Sequence, residues 1–184
     1  MRLSRPRIDP MPESEWSDEV REILPRAPGV SHVPNIFTTI ARHPKLLKRW
    51  LVFGGHVLGK STLPPREREI LILRTGWLCR CEYEWGQHVI IGRKTGLSDD
   101  EIRRITQGPS APGWDPFEAA LLRAADELRA DAMIRDGTWD ILAARYGTRE
   151  LLDLVFTVGQ YTLVSMALNT LGVALDPGVE GFPS

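Results

Sequence analysis

Between positions 81 and 88, three side chains, Cys81, Glu84 and His88, have types and spacing that suit joint chemistry. On a helix of 3.6 residues per turn they fall within an arc of about 60°, so thiol, carboxyl and imidazole share one face. Glu84 and His88 stand one turn apart, at i, i+4. Cys81 would sit at the N-terminus of that helix, where unpaired N–H groups and the dipole favour a thiolate. Such a set can move protons near neutral pH. The plainer reading is a solvated Glu–His pair beside a cysteine buried as a small hydrophobe. No metal is expected. Glu84-x-x-x-His88 occurs once, whereas di-iron bundles need paired Glu-x-x-His copies and zinc needs more histidine or cysteine.

The elements that must position this face all read as helices. A first short helix is expected over Glu15–Leu24, broken by Pro25 and Pro28. Asn35–Arg42 and Pro44–Gly59 form a helical pair around His43-Pro44, because a residue before proline disfavours the helical region. Pro65 suits the first turn of a helix reaching Leu78. The next runs from about Glu82 to Thr95 and ends at Gly96. Ser98 to Glu101 is a capping box, and Asp115 to Glu118 repeats the device before a long helix to about Asp131. Thr138–Tyr146 is short, and Thr148 is expected to cap a last helix to about Leu171. No convincing period-2 strand appears, which predicts an all-α, single-domain bundle of seven to eight helices over 1–184. Residues 1–14 and 176–184 read as irregular N- and C-terminal arms.

The composition agrees with a globular chain. Of 184 residues 42% are hydrophobic and 26% charged, enough for a real core and against wholesale disorder. A net charge of −1 gives no footprint for nucleic acid. Cys79 and Cys81, the two cysteines, are too close to staple a fold, so a secreted disulfide scaffold is excluded. Prolines arrive before any apolar run at the N-terminus, which argues against a signal peptide. Leu154 to Leu175 carries no formal charge and is long enough to span a membrane. Its recurrent Thr157, Gln160, Tyr161, Ser165 and Asn169 favour a central or interface helix instead, so no membrane partner and a cytoplasmic location are expected.

Longer stretches carry a family resemblance. Leu63-Pro64-Pro65-Arg66-Glu67-Arg68-Glu69-Ile70, Tyr83-Glu84-Trp85-Gly86-Gln87-His88 and Gly159-Gln160-Tyr161 lie in order. They resemble the carboxymuconolactone decarboxylase family, which includes the alkylhydroperoxidase-D-type proteins, and within it a Tyr-Glu-Trp subgroup. The resemblance implies an alkylhydroperoxidase-D-like fold and a homo-oligomer, commonly a trimer or hexamer. Its peroxidase branch carries a glutamate twelve positions before the first cysteine of Cys-x-x-Cys, and a histidine four after the second. Glu69, Cys81 and His88 match that register, but Glu84 stands where the second cysteine would be, and Tyr83 replaces a histidine. A carboxylate cannot attack and resolve in a dithiol cycle. Cys79 is a poor substitute, because a Cys-x-Cys ring closes only with strain.

What remains is an acid–base set, Glu69, Glu84 and His88, expected in a pocket walled by Trp77, Tyr83 and Trp85. His56, after Gly54-Gly55, is a further candidate for substrate contact, or else a satisfied core histidine. Two neighbouring carboxyl groups push their pKa values apart, so one holds a proton while the other is ionised. That suits a cofactor-independent enzyme acting on a small carbonyl or lactone acid, by decarboxylation or a related proton transfer. Glu69 would be base or relay, His88 the shuttle oriented by Glu84, and Cys81 a nearby reactive thiol. A thiol-dependent hydroperoxide reductase working through Cys81 is the alternative, and a non-catalytic ligand-binding oligomer a third. Arg74 and Arg80 are expected to be solvated.

Overall fold

A computed structural model describes Leu3, residues 5–24 and residues 32–183. The breaks expected at Pro25 and Pro28 lie outside the described residues. The described chain is helical and contains no strand. A 3-10 turn at Glu13–Glu15 is followed by α1 (Asp18–Ile23), α2 (Asn35–Ile40), α3 (Pro44–Gly59), α4 (Pro65–Leu78) and α5 (Glu82–Lys94). Then come α6 (Asp99–Gln107), α7 (Pro116–Asp131), α8 (Asp136–Ala143) and α9 (Thr148–Leu171). The described residues thus hold nine α-helices rather than seven or eight.

Local chemistry explains most boundaries and the departures from expectation. The first helix is shorter than expected because the Ser17 side chain accepts from Val20 N–H and starts α1 there. The capping box at Ser98 is complete, with Glu101 reaching back to the cap. At Asp115 only half of it forms: the aspartate accepts from Phe117 and Glu118 N–H, while the Glu118 carboxylate goes to Arg66. Thr148 is not a cap but the first helical residue, after Gly147.

α4 is the axis of the bundle. Every residue from Glu67 to Gly76 is buried, because α5, α6, α7 and α9 all pack around it. Ile70, Leu71 and Leu73 are fully buried, each worth about 1.5–3 kcal/mol of burial. A helix enclosed on all sides must also pair its charged groups internally. Glu67 accepts from Tyr146 and Arg145. Arg74, expected at the surface, binds Asp126 through two bonds of 2.6 and 3.0 Å and donates to the carbonyls of Ile105 and Thr106.

The link to α5 is abrupt. Cys81 N–H bonds to the Gly76 carbonyl and Arg80 N–H to that of Trp77, a Schellman closure with Arg80 at φ 51°. This turn folds α5 back along α4.

α9 is long and apolar enough to cross a membrane, with mean hydropathy 1.5, but half of that stretch is buried inside the fold. The described parts of both terminal segments lie on the body. Arg7 N–H bonds to the Leu171 carbonyl, and the Asp176 carboxylate accepts from Asn35 N–H, Tyr83 Oη and Gln87 Nε2 at 2.6–2.8 Å. Beyond Asp176 the chain crosses Gly86 so closely that a Cβ would sit 2.3 Å from the Glu180 carbonyl oxygen. Gly86→Ala is therefore expected to lift the C-terminal segment and cost about 1–3 kcal/mol, measured by urea unfolding. An unchanged midpoint would show that the segment does not bear on α5.

Candidate functional site

The α4–α5 hairpin brings Glu69 against His88. Glu69 Oε2 lies 2.6 Å from His88 Nδ1, and both side chains are buried, at 0% and 4% exposure. On the far side of the ring, His88 Nε2 stands 3.5 Å from Glu84 Oε2. Arg68 donates from Nε and Nη2 to the other oxygen of Glu69, at 3.2 and 3.1 Å. Tyr161 of α9 meets the imidazole edge-on, with ring centroids 4.8 Å apart. The result is a buried row of alternating charge: guanidinium, carboxylate, imidazole, carboxyl.

Burial alone would lower the pKa of His88, but the hydrogen bond and charge of Glu69, with the charge of Glu84, outweigh it and raise it. Burial raises that of Glu84, and Glu69 adds to the effect while His88 opposes it. The ring therefore favours the imidazolium beside Glu69, and Glu84 retains its proton above the ordinary carboxylate range.

Glu84 and His88 line a cavity of about 330 Å³ between α2, α3, α5 and α9. Glu69 does not line it and lies behind the imidazole. Tyr83 is at its wall, but the Tyr83 hydroxyl is turned to Asp176, which helps hold its pKa well above normal behind the larger effect of burial. Trp77 and Trp85 do not line it. They stack with Phe182 on another face of α5, at centroid separations of 5.0–5.8 Å. His56 does not line it either: it lies 2.9 Å from Asp153, its side chain half exposed.

The aromatic wall comes instead from Phe37 and Trp50, with Ile36, Leu51 and Leu58. Sequence reasoning missed these. The available signal was Trp50, Gly54 and Leu58 at i, i+4, i+8, a stripe along α3 with its middle left empty. Gly54 and Gly55 do open this side, and Gln160 closes the other.

Cys81 is placed apart from this cavity. It is the N-cap of α5, packed among Ile36, Val164 and Leu168, and it lines a separate hollow of about 280 Å³ beside Arg80 and Asn169. Burial pushes its thiol up to about 11, the reverse of the expected thiolate. Neither Cys79 nor Cys81 forms a disulfide.

The comparisons with known proteins agree with this architecture. The model of the carboxymuconolactone decarboxylase family matches residues 44–127, which hold α3 to α6 and most of α7. No curated protein matches the sequence. Among solved structures, the chain is similar to the alkylhydroperoxidase AhpD core of a peroxidase-related protein from Ralstonia eutropha. The TM-score is 0.79 and the identity 20%, over 91% of both chains. A peroxidase-related protein from Silicibacter sp. TM1040 matches at TM-score 0.73 and 18% identity, over 96% of this chain and 92% of that one. The debrominase Bmp8, in complex with 2,3,4-tribromopyrrole, matches at TM-score 0.75 and 12% identity, over 95% and 94%. At such identities the likeness is one of fold. The chain thus carries a segment similar to the carboxymuconolactone decarboxylase family within a fold shared with alkylhydroperoxidase-D-like structures.

The raised pKa values carry a pH dependence. The native protein holds protons on Glu84 and His88 that the unfolded chain releases above about 4.5 and 6.5, their ordinary values. The unfolded state then binds fewer protons, so stability falls as pH rises through this range. Thermal midpoints are expected to drop between pH 5 and pH 9, and Glu84→Gln, which removes one titration, to flatten the fall. A variant with the parent's full slope would place the ionisation elsewhere.

Proposed function

We propose that the protein is a cofactor-independent acid–base enzyme that moves a proton at a carbon beside the carbonyl of a small carbonyl or lactone substrate. The observation that carries this reading is the buried Glu69–His88–Glu84 array, whose last two members line a cavity of about 330 Å³. Glu84 and His88 are the catalytic pair. Glu84, whose pKa burial raises, gives its proton to the substrate oxygen, and the carboxylate so formed takes one from the adjacent carbon, which restores the acid and leaves the enol. His88 exchanges protons with Glu84, and Glu69, anchored by Arg68, holds the imidazole in place and balances its charge. Glu69 is thus a positioning residue. Decarboxylation and isomerisation share this step.

A second reading, thiol-dependent reduction of hydroperoxides, draws support from the peroxidase-related relatives and from Cys81 itself. The buried thiol, pushed up to about 11, leaves little thiolate at neutral pH, and Glu84 occupies the place of a second cysteine. We further propose a homo-oligomer with a trimer or hexamer as the form the resemblance implies. α9 leaves Leu152, Phe156, Leu163 and Met166 exposed along one side, a face that suits burial against another copy.

The test is hydrogen–deuterium exchange beside the carbonyl of small cyclic ketones and γ-lactones, followed by NMR in D₂O. Exchange is expected with the parent, reduced by at least about 100-fold in Glu84→Gln and His88→Gln, as for loss of general acid–base catalysis. Glu69→Gln should shift the pH profile as well as the rate, and Cys81→Ser should leave both near the parent. Peroxide consumption abolished by Cys81→Ser, with no carbon exchange in the parent, would replace this reading with the thiol one.

A further inference from the structure

Tyr161 of α9 lines the cavity beside His88 and is 6% exposed, yet its hydroxyl has no hydrogen-bond partner among the described residues. A buried phenol usually finds one, and phenylalanine would fill the same space with no polar group to satisfy. Thr157 Oγ1, Gln160 Oε1 and Ser165 Oγ on the same helix, and Trp50 Nε1 across the cavity, are sealed off by protein atoms; the Tyr161 hydroxyl is not. Other polar ends on these walls are committed. The Tyr83 hydroxyl and Gln87 Nε2 both donate to Asp176, and His88 Nδ1 pairs with Glu69.

The direction of the phenol is fixed by packing. Its ring stands at 88° to the imidazole and is backed by Val57 and Ile72. Burial holds its pKa well above normal, and among the charges acting on it that of Glu84 is the strongest, followed by Glu69. The hydroxyl therefore keeps its hydrogen throughout the neutral range, in the space that Glu84 also faces. As a carbon beside a carbonyl loses its proton, negative charge gathers on the carbonyl oxygen. That oxygen has two lone pairs, and Glu84 meets one of them. A neutral donor already in place for the other lowers the barrier, because nothing need reorganise as the charge develops. Tyrosine beside a protonated carboxyl is an established pair for holding an enolate oxygen.

We infer that Tyr161 is a further catalytic residue, whose hydroxyl donates a hydrogen bond to the substrate's carbonyl oxygen beside Glu84. Tyr161 keeps its own proton throughout. Glu84 supplies the proton that the oxygen gains and removes the one that the carbon loses. The inference rests on the acid–base reading of the site and names the second group that meets the substrate oxygen.

Tyr161→Phe tests it, since the variant keeps the ring against His88 and loses only the hydroxyl. In the carbon-exchange assay its kcat is expected to fall about 100-fold, as for loss of one oxyanion donor, with KM within about threefold of the parent. The thermal midpoint should not fall, because no bond within the protein is lost. Binding is read independently of turnover by ¹⁹F NMR titration at pH 7 with 4-fluorophenol, which carries the C=C–OH array of an enol, and with fluorobenzene, which lacks the oxygen. Tyr161→Phe should weaken 4-fluorophenol by at least about fivefold and leave fluorobenzene no weaker. A kcat within about threefold of the parent, 4-fluorophenol affinity indifferent to the substitution, no binding of 4-fluorophenol, or a lowered thermal midpoint would each overturn the inference. Carbon exchange persisting in that case would leave the acid–base reading standing. No exchange by the parent, with 4-fluorophenol binding still dependent on Tyr161, would sink that reading and leave the hydroxyl as the cavity's donor to a ligand oxygen.

Discussion

The hydrogen bond between Glu69 and His88, closed off from water at the meeting of α4 and α5, is the constraint on which the rest of this protein turns. An ionised carboxylate with 0% exposure is tolerable only if positive charge surrounds it, and here Arg68 and the imidazolium do so from two sides. Such buried ion pairs are weak devices for stability, because a well-packed apolar set of the same volume commonly does as well or better. Their presence on the most enclosed helix of the bundle therefore fits chemistry better than architecture. The neighbouring Glu84 extends the row to the cavity, and burial there turns an ordinary carboxyl into one that exchanges its proton closer to neutral pH.

The same electrostatic demand organises the periphery. α4 carries three more charged groups into the interior; two draw in distant segments, and the third holds its neighbour on the same helix. Glu67 binds Tyr146 and Arg145 beyond α8, Arg74 binds Asp126 on α7, and Arg68 holds Glu69. Asp176 plays this part for the C-terminal segment, tying it to α2 and α5 through four acceptor contacts, including His32 Nε2 at 2.8 Å. Tyr83 is thereby held by its hydroxyl, and its ring is fixed at the cavity wall. The site's rigidity and the bundle's connectivity thus have one physical origin.

The environment of Cys81 shows how position at a helix start can mislead. N–H groups and the dipole lower a thiol's pKa when the sulfur meets them beside water. Here the thiol is enclosed by Ile36, Val164 and Leu168, and desolvation is the largest effect acting on it. Proximity in sequence to Glu84 and His88 did not become proximity in the same hollow.

Local rules made much of the fold legible in the residues alone. Pro44 and Pro65 open helices at their first turn, Ser98 and Glu101 cap one another, and the i, i+4 spacing of Glu84 and His88 puts them on one face. These depend on neighbours within a turn, which is why they could be read without the structure. Where they failed, as at Thr148, at the unfinished box of Glu118 and at the shortened first helix, a competing bond or cap a few residues away had won. The pairing of Glu69 with His88 could be anticipated only from family register. What the tertiary structure alone decided was the enclosure: Trp50, Phe37 and Gln160 as walls, Trp77 and Trp85 turned to Phe182, His56 to Asp153, and Arg74 buried. Each of these sets joins residues far apart in the chain, and desolvation, which governs both the thiol and the carboxyl, is a property of everything packed around a group rather than of the residues beside it in sequence.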